Sequence, residues 1–305
     1  HRRRHSFPTR RSSDLALKKS AELTKILQAN LSDVNLQWIN SKKKGEAKDL
    51  ALAFVLAGRK IESKEISVFD FLQTIDPNWN LETCNAISLV RAYFLVLLEE
   101  NYEKEIFQKW INELFETAEI NESIALIQFL SLSSYPDIVI SRAKDAVRSN
   151  IGSIFDAIAF NNPFPFNYFE EAAWNQLILK CIFNDKPIHQ IIGLNERRNI
   201  ALAETLSDFA HERWAAHRRV PSQVWRLVIP FINEDISKDI ERLFQSEDEK
   251  DQLAASLVCL ESESAYLKGL IEQNSSKIKK FEGFNWSHLE VNEPIYTGQE
   301  DVSKS

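Results

Sequence analysis

Apolar side chains recur every three to four positions through nearly the whole chain. Leu50, Phe54, Ala57 and Ile61 form one such stripe, and Phe107, Trp110, Ile111 and Leu114 form another. That spacing lines up groups on one side of a helical turn, so that they leave water together. No long alternating run, the mark of a half-buried strand, competes with it. The pattern predicts one helix after another and an all-α fold. Asn80 is placed to cap the helix through Leu97 and Leu98, its short side chain accepting from the first unpaired backbone amides. At "SLSSYPD", 131–137, one helix closes and another opens, because Pro136 has no N–H and steers Tyr135 away from the α region. Asn167 and Glu170 read as a capping box ahead of Trp174. Gly193 frees the chain to turn, and Asn195 is placed to cap a helix starting at Glu196.

In the second half the pattern is helix, polar or Pro-containing turn, then Ala-rich helix. "IGSIFDAIAF" leads through "NNPFPFN" into "YFEEAAWNQLILKCIF", and "KDIERLF" leads through "QSEDEK" into "DQLAASLVCL". Such pairs resemble the stacked helical hairpins of HEAT-like α-solenoids, although the uneven period also fits an irregular helical bundle. The length exceeds what one core usually serves, so two lobes or an elongated stack are expected. We assign 16–284 to a single elongated helical domain and 285–305 to a polar C-terminal tail. The head of the chain reads differently. "HSFPTRRSSDL", 5–15, back-translates onto a common sequencing-adapter oligonucleotide, so 1–15 are read as non-native and the true start as missing.

Composition narrows the class. Seven Gly and nine Pro are too few for the many tight turns of a sandwich or barrel. Residues 1–15 hold five Arg and one Asp, so setting them aside moves the net charge from −7 to −11. This balance argues against binding nucleic acid, whose affinity comes largely from Lys and Arg displacing condensed counterions. A local basic patch stays compatible with it. Cys84, Cys181 and Cys259 are odd in number and far apart, which points to reduced thiols in a cytosolic setting. The most apolar stretch, "AISLVRAYFLVLLEE", is interrupted by Arg91 and falls short of the roughly 20 residues that span a bilayer, so it reads as a core helix.

The stretch "FAHERWAAHRR", 209–219, stands close to a zinc-protease signature. A zinc box needs two histidines at i and i+4, whereas His211 and His217 are six apart, about 600° around a helix, and diverge. One reading makes this the polar side of a helix with Trp214 in the core. The other sets His211, Trp214 and Arg218 at i, i+3 and i+7, where an imidazole, an indole and a guanidinium would line one groove for an anionic or aromatic ligand. Asn175, beside Trp174, must be hydrogen-bonded if buried, either to a neighbouring helix terminus or to a ligand. Arg197 and Arg198 fall in the expected first turn of a helix, where the macrodipole disfavours cations. There is no phosphate loop, dinucleotide fingerprint, G-x-S-x-G or carboxylate-rich prenyl-diphosphate box. No catalytic residue, cofactor or metal ion is assigned.

"NPFPFNYFEEAAWNQLILKCIF", "IHQIIGLNERRN" and "LSDFAHERWAAHRRVPSQVWRLVIPF" together resemble the EboA family, most closely over about residues 160–232. That family has an N-P-x-P…AWNQ…K helix, a "GL-x-x-R" turn and an "A-x-E-R-x-A-A-x-R" helix. The resemblance implies a helical protein from a bacterial gene cluster that moves a secondary-metabolite precursor out of the cytoplasm, as in scytonemin-type pigment production. It implies partners encoded beside it: a membrane-embedded prenyltransferase, a TatD-like hydrolase, a sugar-phosphate cyclase and TIM-barrel proteins. The expected place is the cytoplasm, with peripheral contact at the inner membrane. It supplies no catalytic residues. The expected role is a binding or scaffold component, with Trp174, Asn175, Lys180, Arg197, His211, Glu212, Trp214 and Arg218 as ligand- or partner-binding candidates. The alternative is an all-α enzyme of the same pathway using His211, Glu212 or Lys180 as acid or base.

Overall fold

The repeating apolar stripes fold as helices that close on one another along those stripes. The computed structural model describes residues 19–290. The adapter-like segment 1–15 and tail residues 291–305 lie outside the described residues. Among the described residues the chain is all-α apart from one antiparallel pair of three-residue strands, and it divides between Ala143 and Lys144 into two units.

The first unit holds α1 (Lys19–Asn30), α2 (Asp33–Lys42), α3 (Ala47–Lys60), β1 (Glu65–Ser67), α4 (Phe69–Ile75), β2 (Thr83–Asn85), α5 (Ala86–Asn101), α6 (Lys104–Thr117) and α7 (Ile120–Gln128). The unit boundary then falls within α8 (Pro136–Arg148). The apolar stretch read as a core helix is α5: Leu89, Val90, Phe94 and Leu98 are buried, and α1, α3, α6 and α7 pack around it. Its cap is Asn85, which accepts from the Ile87 amide at 2.9 Å, not Asn80. The intervening residues are spent on β2, whose Cys84 pairs with Ile66 of β1, both buried, so the helix begins only after Asn85. Three residues are too few for the alternation that marks a strand in sequence.

Arg91 is the exception on α5, a cation 5 % exposed. Its guanidinium donates to the Phe54 carbonyl (3.3 Å), the Asn121 carbonyl (3.0 Å) and the Glu122 carboxylate (3.3 Å). Gly58 makes room for it, because a Cβ there would stand 3.1 Å from Nη2. A buried pair of this kind is costly to break from one side, since the survivor is left desolvated and unpaired.

The second unit continues through α9 (Gly152–Ala159), α10 (Phe164–Tyr168), α11 (Glu171–Phe183) and α12 (Ile200–Ala215). A 3-10 run, Ser222–Leu227, then leads to α13 (Glu234–Gln245), α14 (Glu249–Glu261), α15 (Lys268–Gln273), α16 (Ser275–Lys280) and α17 (Ser287–Glu290). Its centre is α14, buried continuously from Leu253 to Cys259, with α13, α16 and Ser222–Leu227 packed on it. Two expected caps move. Asn167 is taken into α10, so Glu170 becomes the N-cap residue of α11. The turn after Gly193 runs longer than expected, and Asn199 caps α12, accepting from the Leu202 amide at 2.9 Å. Gly193 has φ +76°, and the Phe166 ring fills the place a Cβ would take.

The first residues of the expected tail are built into this unit. Trp286 is buried and donates to Glu261 at 2.9 Å, Leu289 is buried, and Glu290 pairs with Arg226 at 3.0 Å. Cys84, Cys181 and Cys259 are all buried and free, and burial pushes each thiol up to about 12.

Candidate functional site

Four of the candidates sit on α11 and the turn before α12, and the fold engages all four. Lys180 donates from Nζ to the Val147 (2.8 Å) and Ser149 (2.6 Å) carbonyls where α8 ends, with the Phe155 ring 4.8 Å away. Burial pushes its pKa down. Asn175 and Asn199 exchange amide hydrogen bonds at 3.1 and 2.8 Å, so Asn175 steadies the cap of α12. Trp174 is buried, with the Arg197 guanidinium 4.7 Å from its ring centre. Arg197 does not stand in a helical first turn. It donates to the Pro165 (2.7 Å), Phe166 (3.1 Å) and Phe169 (2.6 Å) carbonyls at the end of α10, where a cation is favoured. The expected conflict with the macrodipole therefore does not arise. Arg198 likewise closes a turn, donating to the Asn195 carbonyl at 2.7 Å.

The other four lie on α12 and just beyond it. The helix stops at Ala215, so Arg218 is not placed by helical phase from His211. The chain reverses instead: the His217 amide donates to the Trp214 carbonyl (3.0 Å) and the Arg218 amide to the Arg213 carbonyl (2.8 Å). His217 takes φ +54°, the left-handed position that glycine usually holds in this turn. This reversal turns Arg218, His217 and Arg219 toward α13 and α14.

There they line a groove of about 800 Å3 with Trp214, Val220, Lys238, Glu241, Arg242, Leu243 and Asp251. The half-buried Trp214 is its aromatic wall. Trp225, fully buried, stacks on it with centroids 5.8 Å apart and planes 15° from parallel. The Arg242 guanidinium lies 4.4 Å from the same indole. Arg219 pairs with Asp248 at 2.9 Å, and Lys238 with Glu234 at 3.0 Å. Among the described residues neither Arg218 nor Arg242 has a carboxylate within ion-pair distance. At the margin, Asp251 accepts from Ser222 (3.0 Å) and Ser246 (2.8 Å). Burial pushes its carboxyl above the usual range, against the lowering effect of those hydroxyls and of Arg219. An acidic chain thus carries a local cationic groove with an indole wall.

His211 stands at the edge of this arrangement, its ring 5.9 Å from that of Trp214. Its partner is Asp239 of α13, at 2.6 Å from Nε2, and not Glu212, which is exposed. Asp239 also accepts from Ser207 at 2.6 Å. Of the expected trio, Trp214 and Arg218 line this groove, Arg218 through the reversal and not by helical phase, and His211 is not among the lining residues; His217, Arg242, Asp251 and Asp239 are not among the sequence candidates. One signal for Asp239 was present: Ile236, Asp239, Ile240 and Leu243 fall at i, i+3, i+4 and i+7, a carboxylate inside an apolar stripe.

The family model described as metabolite traffic protein EboA matches residues 19–229. No curated protein and no solved structure matches the chain.

Proposed function

The chain belongs to the EboA family, described as metabolite traffic proteins, and from that premise we propose that it holds a small anionic, aromatic metabolite in the groove beside Trp214. One observation carries this reading: two guanidinium groups without carboxylate partners among the described residues, Arg218 and Arg242, share a groove with a partly exposed indole. Guanidinium forks match carboxylate or phosphate oxygens, and the indole and the plane of Arg242 offer a surface for an aromatic ring. A binding or scaffold component needs such a site and no bond-breaking chemistry. In this reading the protein works in the cytoplasm, peripheral to the inner membrane. There it passes its ligand between proteins of the same gene cluster, with a membrane-embedded prenyltransferase as a candidate partner. Among the described residues no helix is long and apolar enough to cross a membrane.

The test is retention. Purified protein is incubated with a metabolite extract of the producing cell and analysed by native mass spectrometry, alongside a variant carrying R218A and R242A. Retention of a small molecule by the parent and its loss from the variant support the reading. Equal retention by both, or none by the parent, refutes it. The second reading, an all-α enzyme of the same pathway, has one specific observation in its favour, the buried Asp239 that orients His211.

A further inference from the structure

Two helices meet at His211. Asp239 lies between them, 3 % exposed, and its two oxygens are already engaged, Oδ2 by the Ser207 hydroxyl and Oδ1 by His211 Nε2, each at 2.6 Å. The imidazole itself is 53 % exposed. An ionised carboxylate accepts and does not donate, so a neutral His211 carries its proton on Nε2 and presents Nδ1 as a lone-pair acceptor. The buried acid therefore fixes the tautomer and the orientation of the ring.

What lies beside this base defines what it would act on. Trp214 follows His211 on α12, and Arg242 follows Asp239 by one turn on α13, its guanidinium over the same indole. The remaining charged groups within a turn are Asp208, Glu212 and Arg213 on α12, the first two exposed and Arg213 donating to the Arg219 carbonyl at 2.6 Å, and Asp235, Lys238 and the exposed Glu241 on α13, where Asp235 and Lys238 pair with each other at 3.3 Å. A base and a guanidinium thus flank one aromatic wall.

The geometry points to a proton-accepting site for a weakly acidic hydroxyl on the groove's ligand, a phenol or an enol. This rests on the groove reading given above. With the ligand ring along Trp214, its O–H proton passes to Nδ1 of His211. That leaves an imidazolium held by Asp239 and an oxyanion held by Arg242. The O–H bond breaks, the N–H bond forms, and no bond to carbon changes. Returning the proton releases the ligand neutral. A carboxylate or phosphate ligand, already ionised, would use the cations without needing His211, so the dyad selects between ligand classes.

The test uses two probes with the whole chain: 4-nitrophenol, whose anion is yellow and whose neutral form is colourless, and 4-nitrobenzoate, which has no proton to give. The pH is set where free 4-nitrophenol is mainly neutral. The expected result is bound 4-nitrophenol enriched in its anion by about tenfold over free solution, equivalent to one pKa unit. H211Q keeps a donor for Asp239 but has no basic nitrogen. It is expected to bind 4-nitrobenzoate as the parent does, by calorimetry, and to leave 4-nitrophenol colourless. A parent that binds 4-nitrobenzoate but leaves 4-nitrophenol neutral overturns this proposal alone, as does an H211Q that ionises it equally. If neither probe binds, the groove reading falls and takes the proposal with it.

Discussion

Asp251 and His217 each hold an uncomfortable state at the rim of the groove. Folding raises the Asp251 pKa above its ordinary 3.8, because burial disfavours the carboxylate more than two hydroxyls and Arg219 favour it. Such a group binds its proton more tightly in the folded chain. Its contribution to stability is present below the ordinary value and is lost as pH climbs through the folded one. D251N removes that slope. Urea midpoints at about pH 4 and about pH 7 should show the parent losing more stability than D251N over that interval, with D251N at least as stable at the upper end. An unchanged slope would mean the carboxyl is not held as described. His217 is strained differently, since its Cβ opposes the left-handed backbone that the turn requires. H217G should stabilise by about 0.5–1 kcal/mol in denaturant titrations, the relief of strain exceeding the added entropy of the unfolded chain.

At the scale of elements, the helical period was legible and the helix starts were not. The sequence places an asparagine cap at 80, 167 and 195, and each time the structure starts the helix from a later residue: Asn85, Glu170 and Asn199. The reason is physical. Short polar side chains stabilise turns and strand ends as readily as caps, and pairing partners such as β1 and β2 are invisible to a local pattern. The site was legible to the same depth. Trp214 is placed by α12, but Arg242 and Asp251 come from other helices, and His217 and Arg218 reach the groove through a backbone reversal that no periodicity announces. Asn175 shows how an element's start can be set from outside. Its reciprocal amide pair with Asn199 joins α11 to the cap of α12. N199A should cost about 1–2 kcal/mol through the lost cap. N175A should cost about 1 kcal/mol. The double variant should cost less than their sum by at least about 0.5 kcal/mol. Strict additivity would argue against the pair.

At the scale of the whole molecule, the second unit is completed by residues first read as tail. Trp286 and Leu289 are withdrawn from water, and Arg226 lies 5.7 Å from the Trp286 ring while pairing with Glu290. A chain ending at Phe284 loses two buried side chains, each contributing roughly 1.5–3 kcal/mol, so its denaturation midpoint should drop clearly below that of the full chain. An unaltered midpoint would show that this segment only rests on the surface. The buried thiols offer a separate use. With values pushed to about 12 and at most 5 % exposure, Cys84, Cys181 and Cys259 are silent toward alkylating reagents while the chain is folded. One lies before the unit boundary and two after it. Timed labelling read by mass therefore turns the native cysteines into a clock with two hands. If one adduct arrives before the other two, the halves breathe independently; if all three arrive together, they open as one.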